Sequence, residues 1–112
     1  MYRMLAALML VLVTTMSGCS ASPHVEMGGG ESVVLTPGTG QIDVQGHLVN
    51  TGDAKARDVE LFFKFSQNGV VYLEKKILLG NIHAGDSSSF NGVFFGPPVT
   101  GVFGWEYRIE WD

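Results

Sequence analysis

His24, His47 and His83 are the only imidazoles in this 112-residue sequence, so any metal or general-base chemistry would have to begin with them. His24 lies in a polar, glycine-rich stretch, His47 falls on the outward side of an alternating run, and His83 precedes Ala84-Gly85-Asp86. No two of them have the spacing of metal ligands, and no metal site is expected. A serine nucleophile needs a base that a third group orients. Ser87, Ser88 and Ser89 stand close in sequence to His83 and Asp86, but a polar run after Ala-Gly reads as a loop entering a strand. Asp58 with Glu60, and Glu106 with Glu110, alternate outward on predicted strands, where solvation explains them without acid–base work. The Gly28-Gly29-Gly30 run has no strand before it and no helix after it, so it is not a phosphate loop. The sequence therefore predicts no catalytic residue, no cofactor and no metal, and the chain is not expected to be an enzyme.

What stands above this background is a pair of aromatics. Phe62 alternates to the side opposite the apolar face of its strand. Asn68-Gly69 is the pair that a two-residue hairpin demands, because both central residues need positive φ. The hairpin makes the strand carrying Tyr72 a neighbour of the strand carrying Phe62, so the two rings are expected to pair across it. Exposed apolar clusters on small domains mark partner surfaces, so Phe62 and Tyr72 are the candidate partner-binding residues. Burial under a loop is the local-packing alternative for Phe62.

The elements that must position these side chains have period two. Ser32–Thr36 is a short apolar run closed by Pro37-Gly38. Residues 41–49 place Ile42, Val44, Gly46 and Leu48 on one face, and residues 58–66 place Val59, Leu61, Phe63 and Phe65 inward. A returning strand over residues 70–79 carries a charged interruption at Glu74-Lys75-Lys76, and residues 81–88 read as a loop. A strand over 89–95 stops at Gly96-Pro97-Pro98. Phe103–Trp111 has the strongest alternation, with Phe103, Trp105, Tyr107, Ile109 and Trp111 on one face. Six to seven short strands with frequent turn signals predict an all-β, antiparallel β-sandwich. Parallel pairing would need helical crossovers for which there is no length.

Before these strands comes an address. Arg3 is followed by an uncharged stretch over residues 4–16, too short as a helix to cross a hydrocarbon core of about 30 Å. That length suits the apolar region of a cleavable signal. Met16-Ser17-Gly18-Cys19-Ser20 then resembles the lipobox of bacterial lipoproteins, with Met16 where the family favours leucine. The resemblance implies a diacylglyceryl thioether on Cys19 and further acylation, so that two or more chains (palmitate among them) hold the protein to a membrane. It would also explain an odd, unpaired cysteine in an exported protein. The alternative is ordinary cleavage after Ala21, which discards Cys19 and releases a soluble protein. In a Gram-negative host Ser20 would favour the outer membrane.

Within the strands, Val44-x-Gly46-x-Leu48-Val49-Asn50-Thr51-Gly52-Asp53 resembles the opening of the FxLYD-type domain. Ala56-x-x-Val59, the aromatic strand from Leu61 to Phe65, the Asn68-Gly69 turn and Leu79-x-x-Ile82-x-Ala84-Gly85-Asp86-x-x-x-Phe90 continue the likeness. The chain departs from that family at Phe65-Ser66-Gln67. What the resemblance implies is an immunoglobulin-like fold, with no catalytic positions carried over.

The expected organisation is therefore a signal over residues 1–18, a flexible tether over 19–30 and an Ig-like β-sandwich over 31–112. The signal contains Arg3, so of seven basic and eleven acidic residues the mature chain keeps six and eleven, a net charge of −5. With Lys75-Lys76 the only lysine pair, nucleic acid is not an expected partner. The expected function is an envelope-anchored, non-catalytic protein-interaction or structural module, facing the periplasm or the exterior, with an envelope protein as partner. The rival expectation is a small-ligand or glycan carrier that uses the aromatic strands.

Overall fold

The computed structural model describes the backbone of residues 4–7 and all of residues 21–112. The rest of the expected signal, residues 1–3 and 8–18, and Cys19, the expected lipidation residue, lie outside the described residues. Among the described residues eight strands follow one another: β1 (Met4–Ala7), β2 (Val25–Met27), β3 (Ser32–Thr36), β4 (Gln41–Asn50), β5 (Ala56–Gln67), β6 (Val70–Ile82), β7 (Ser87–Phe95) and β8 (Phe103–Trp111). Seven of them, β2 to β8, form the sandwich, and every pairing is antiparallel.

One sheet has the order β1-β8-β5-β6. In the other, β4 is central, with β7 along one side and β2 and β3 sharing the opposite side. Strands β3, β4 and β7 thus lie in one sheet and β6, β5 and β8 in the other, and the two sheets pack as a sandwich. The all-β sandwich read from the alternation is the fold.

Alternation decides which side chains meet between the sheets. Ile42, Val44 and Leu48 from β4 face Val59, Leu61, Phe63 and Phe65 from β5, with Phe90, Ile109 and Trp111 closing the core; all are buried. Gly46 sits on this face because a Cβ there would lie 2.8 Å from the Phe90 ring. Rings continue the core along its axis, with Phe63 and Phe65 stacked at 5.7 Å and Phe65 and Phe103 at 6.0 Å.

Order begins earlier than the sequence suggests. Residues 19–30 read as a tether, but Val25 is wholly buried and β2 pairs with Leu48, Val49 and Asn50. Four residues, 28–31, then span the gap that Gly46 and His47 span on β4, so β2 and β3 form one edge broken by a bulge. The glycine run serves this bulge: Gly30 has φ 85°, and Gly28 lies flat against the His47 imidazole, where any Cβ would collide. Met4–Ala7, part of the uncharged stretch expected to belong to a signal, is extended and paired to β8 (Met4 opposite Trp111, Ala7 opposite Arg108).

Asn50 ties one end of the sandwich together. It is fully buried, and every hydrogen-bonding position of its amide is used. Its Nδ2 donates to the carbonyls of Ala54 (2.8 Å) and Ile82 (2.9 Å), and its Oδ1 accepts from the backbone N–H of His24 (3.2 Å) and Gly52 (3.0 Å). At the other end Asn68 (φ 52°) and Gly69 (φ 81°) make the predicted hairpin turn.

Candidate interaction surface

Phe62 lies on β5, the central strand of its sheet, and points away from the core as the alternation predicts. Its direct neighbours are Lys76 on β6 and Arg108 on β8. Both cations cover its ring, the Arg108 guanidinium carbon at 4.0 Å from the centroid and the Lys76 Nζ at 5.7 Å. Such contacts are attractive because the ring face is electron-rich. Each cation is held in turn by a carboxylate: Arg108 Nε donates to Glu110 Oε2 at 2.8 Å, and Lys76 Nζ lies 3.1 Å from Glu60. One row of the sheet thus reads cation, ring, cation, and its aliphatic stems half-bury Phe62. Beside it an open concavity of about 310 Å³ is lined by Phe62, Phe63, Glu74, Lys75, Lys76 and Arg108.

Tyr72 does not join this surface, and the expected Phe62–Tyr72 pair is corrected. Phe65 pairs with Leu73 and Ser66 with Val71, so Tyr72 is the extra residue of a β-bulge. A bulge breaks the period-two rule locally and re-aims a side chain. Tyr72 therefore packs on the core side, close to the backbone at Gly96. Its hydroxyl is buried without a hydrogen-bond partner, and burial pushes the phenol above its ordinary value of 10.0. Lys76, the residue that does face Phe62, carried no aromatic signal in the sequence.

The last strand divides unevenly. Ile109 and Trp111 are buried, whereas Phe103, Trp105 and Tyr107, expected on the same buried face, are only half-buried. Trp105 and Tyr107 stack at 6.4 Å and form a shelf along the sheet margin. Burial raises the Tyr107 phenol above its ordinary value, and the negative charges of Glu31 and Glu26 raise it further.

The residues weighed for chemistry are dispersed. His24 sits 3.4 Å from Glu26 and edge-on to Trp111, and His47 packs on Gly28. His83 closes a turn through its carbonyl, which accepts from the N–H of Asp86 at 3.0 Å. Ser87, Ser88 and Ser89 are ladder residues of β7, opposite Val49, Leu48 and His47. Glu60 and Glu110 hold cations. Among the described residues there is no group of three metal-ligating side chains.

No known protein family, curated protein or solved structure matches this chain. Its function must be read from its own residues.

Proposed function

We propose that the chain is an envelope-anchored lipoprotein, acylated at Cys19 after removal of residues 1–18, whose sandwich is a non-catalytic protein-interaction module. The FxLYD-type resemblance of residues 41–90 belongs to the same proposal. The observation that carries it is the Phe62 row: an aromatic on an open sheet face, gripped by Arg108 and Lys76, which are themselves fixed by Glu110 and Glu60. Aromatic and arginine side chains that are ordered before binding make the strongest protein contacts, because little freedom is lost on association. A small-ligand or glycan carrier would need an enclosed aromatic pocket, and the concavity beside Phe62 is a shallow, open one.

Two measurements in the host test the two halves. Cys19→Ala should abolish acylation and move the protein out of the detergent phase, whereas a wild-type protein that begins at Ser22 without lipid would end the lipoprotein reading. Phe62→Ser should lower the melting temperature by no more than about 10 °C, since surface cation–π contacts worth about 1 kcal/mol and a half-buried ring face are lost, and should weaken a defined crosslink to an envelope protein. A large drop in stability with the crosslink unchanged would make Phe62 a packing residue only.

A further inference from the structure

The margin of β8 that faces away from β5 is where the fold accepts another strand. Met4–Ala7 runs antiparallel along it, each of its four residues in register with one of Trp111, Glu110, Ile109 and Arg108. All four residues are apolar, and the segment belongs to the stretch that the proposed processing removes. The margin is also less guarded than the other sheet edges, since its charges, Glu106, Arg108 and Glu110, alternate to one face, where Arg108 and Glu110 pair with each other. Sheet edges are normally blunted by lysine, proline, bulges or shortness. The opposite margin of the same sheet, β6, carries the Tyr72 bulge and Lys75-Lys76, and β3 is short and followed by Pro37. By contrast β8 has nine residues without lysine or proline. Beyond Met4–Ala7 it continues through Tyr107 and Trp105 to Phe103, whose half-buried rings offer apolar area along the same margin.

We propose that β8 is a strand acceptor: in the processed protein the place held by Met4–Ala7 is taken by an extended apolar segment of a partner polypeptide, antiparallel to β8. Backbone hydrogen bonds supply the pairing, and the Trp105–Tyr107 shelf selects apolar side chains on the inward side. The proposal rests on the lipoprotein reading in one respect, the removal of residues 1–18.

The test uses protein purified from its host, with its N-terminus fixed by intact mass. The probe is a soluble peptide carrying Met-Leu-Ala-Ala between lysine pairs, and the readout is amide hydrogen exchange. Saturating peptide should slow exchange along Phe103–Trp111 by about tenfold or more, and the same peptide N-methylated at alternate residues should not. Unchanged exchange in β8 on correctly processed protein overturns the proposal, as does equal slowing by the N-methylated peptide. Protection of β8 that appears with rising protein concentration and no peptide also overturns it, because the occupant is then a second copy. Retention of residues 1–18 in the host's protein ends the lipoprotein reading separately. In that case Ala6→Pro in the full chain should speed exchange at Ile109 and its neighbours about tenfold, and no change there overturns the edge assignment itself.

Discussion

Replacing Asn50 by alanine should remove more stability than any other single polar substitution in the described domain. The amide makes four hydrogen bonds to four separate backbone groups, and the one to the Ile82 carbonyl is wholly buried. A hydrogen bond of this kind is worth about 0.5–1.5 kcal/mol net, and a buried group left unsatisfied costs more than the mean. Four bonds, three of them only part-buried, give a loss of about 2–5 kcal/mol. A domain of this size has a total stability of about 5–13 kcal/mol, so Asn50→Ala should lower the melting temperature by about 10–25 °C. Asn50→Asp is isosteric, but it turns an oxygen toward the carbonyls of Ala54 and Ile82 and should cost at least as much as alanine. Urea titration followed by the fluorescence of Trp105 and Trp111 measures both, with an unchanged slope certifying that the same surface unfolds. A loss below about 1 kcal/mol for Asn50→Ala, at unchanged slope, would refute the account of Asn50 as the tie between β4, β6 and the N-terminal segment.

Three further outcomes are expected. Trp111→Ala should cost about 3–5 kcal/mol as a full core truncation, and Trp105→Ala about 1–2 kcal/mol because its ring is half in solvent; equal losses in denaturant titration would show that the facing sheet covers both. Tyr72→Phe should leave stability at pH 7 within about 1 kcal/mol of the parent or raise it, since it removes a buried hydroxyl that has no partner, and a loss above 2 kcal/mol would reveal an acceptor for that hydroxyl. The folded phenols of Tyr72 and Tyr107 are both raised above 10.0, so above about pH 10 the unfolded chain releases protons that the folded chain retains, and stability falls as pH rises. Tyr72→Phe/Tyr107→Phe should flatten that fall in melting temperatures taken between pH 8 and 11, and an unaltered slope would sink the assignment.

The parts of this fold visible in the sequence are those set by a local rule. Asn68-Gly69 needs only its own two φ angles, and the inward set on β4 and β5 needs only alternation plus a buried face, so both are found where they were expected. Tyr72 was misplaced because alternation assumes an unbroken register, and a one-residue bulge has no composition signature at Val70-Val71-Tyr72. Trp105 and Trp111 are equivalent by periodicity, yet they differ in burial because cover comes from the other sheet, whose width the sequence of β8 does not contain. Val25 was hidden for a related reason. Three residues are too few to show a period, and glycines beside them look like a linker until the His47 ring that needs Gly28 is in place. Asn50 could be recognised as a turn residue, and Gly52 and Ala54 lie in its own turn, but His24 and Ile82 come from distant stretches of chain and became visible as partners only once those stretches met.

Because Ser22 and His24 are already fastened to the fold, through Asp53 and Asn50, a lipid on Cys19 would leave the domain an unusually short leash. Three residues reach about 10 Å when fully extended, so the domain would stand on its membrane rather than float above it. The standing end is fixed as well: Asp53, Asp86 and Asp112 would lie nearest the headgroups. The twelve residues of β5 would carry the Asn68-Gly69 tip, with exposed Val70 and Val102, to the far side. Phe62, midway along β5, would then present its row of charges parallel to the bilayer, at a height set by strand length. Partners would approach such a domain from the side or from above, and lengthening the chain between Cys19 and Ser22 would tune that geometry without touching the fold.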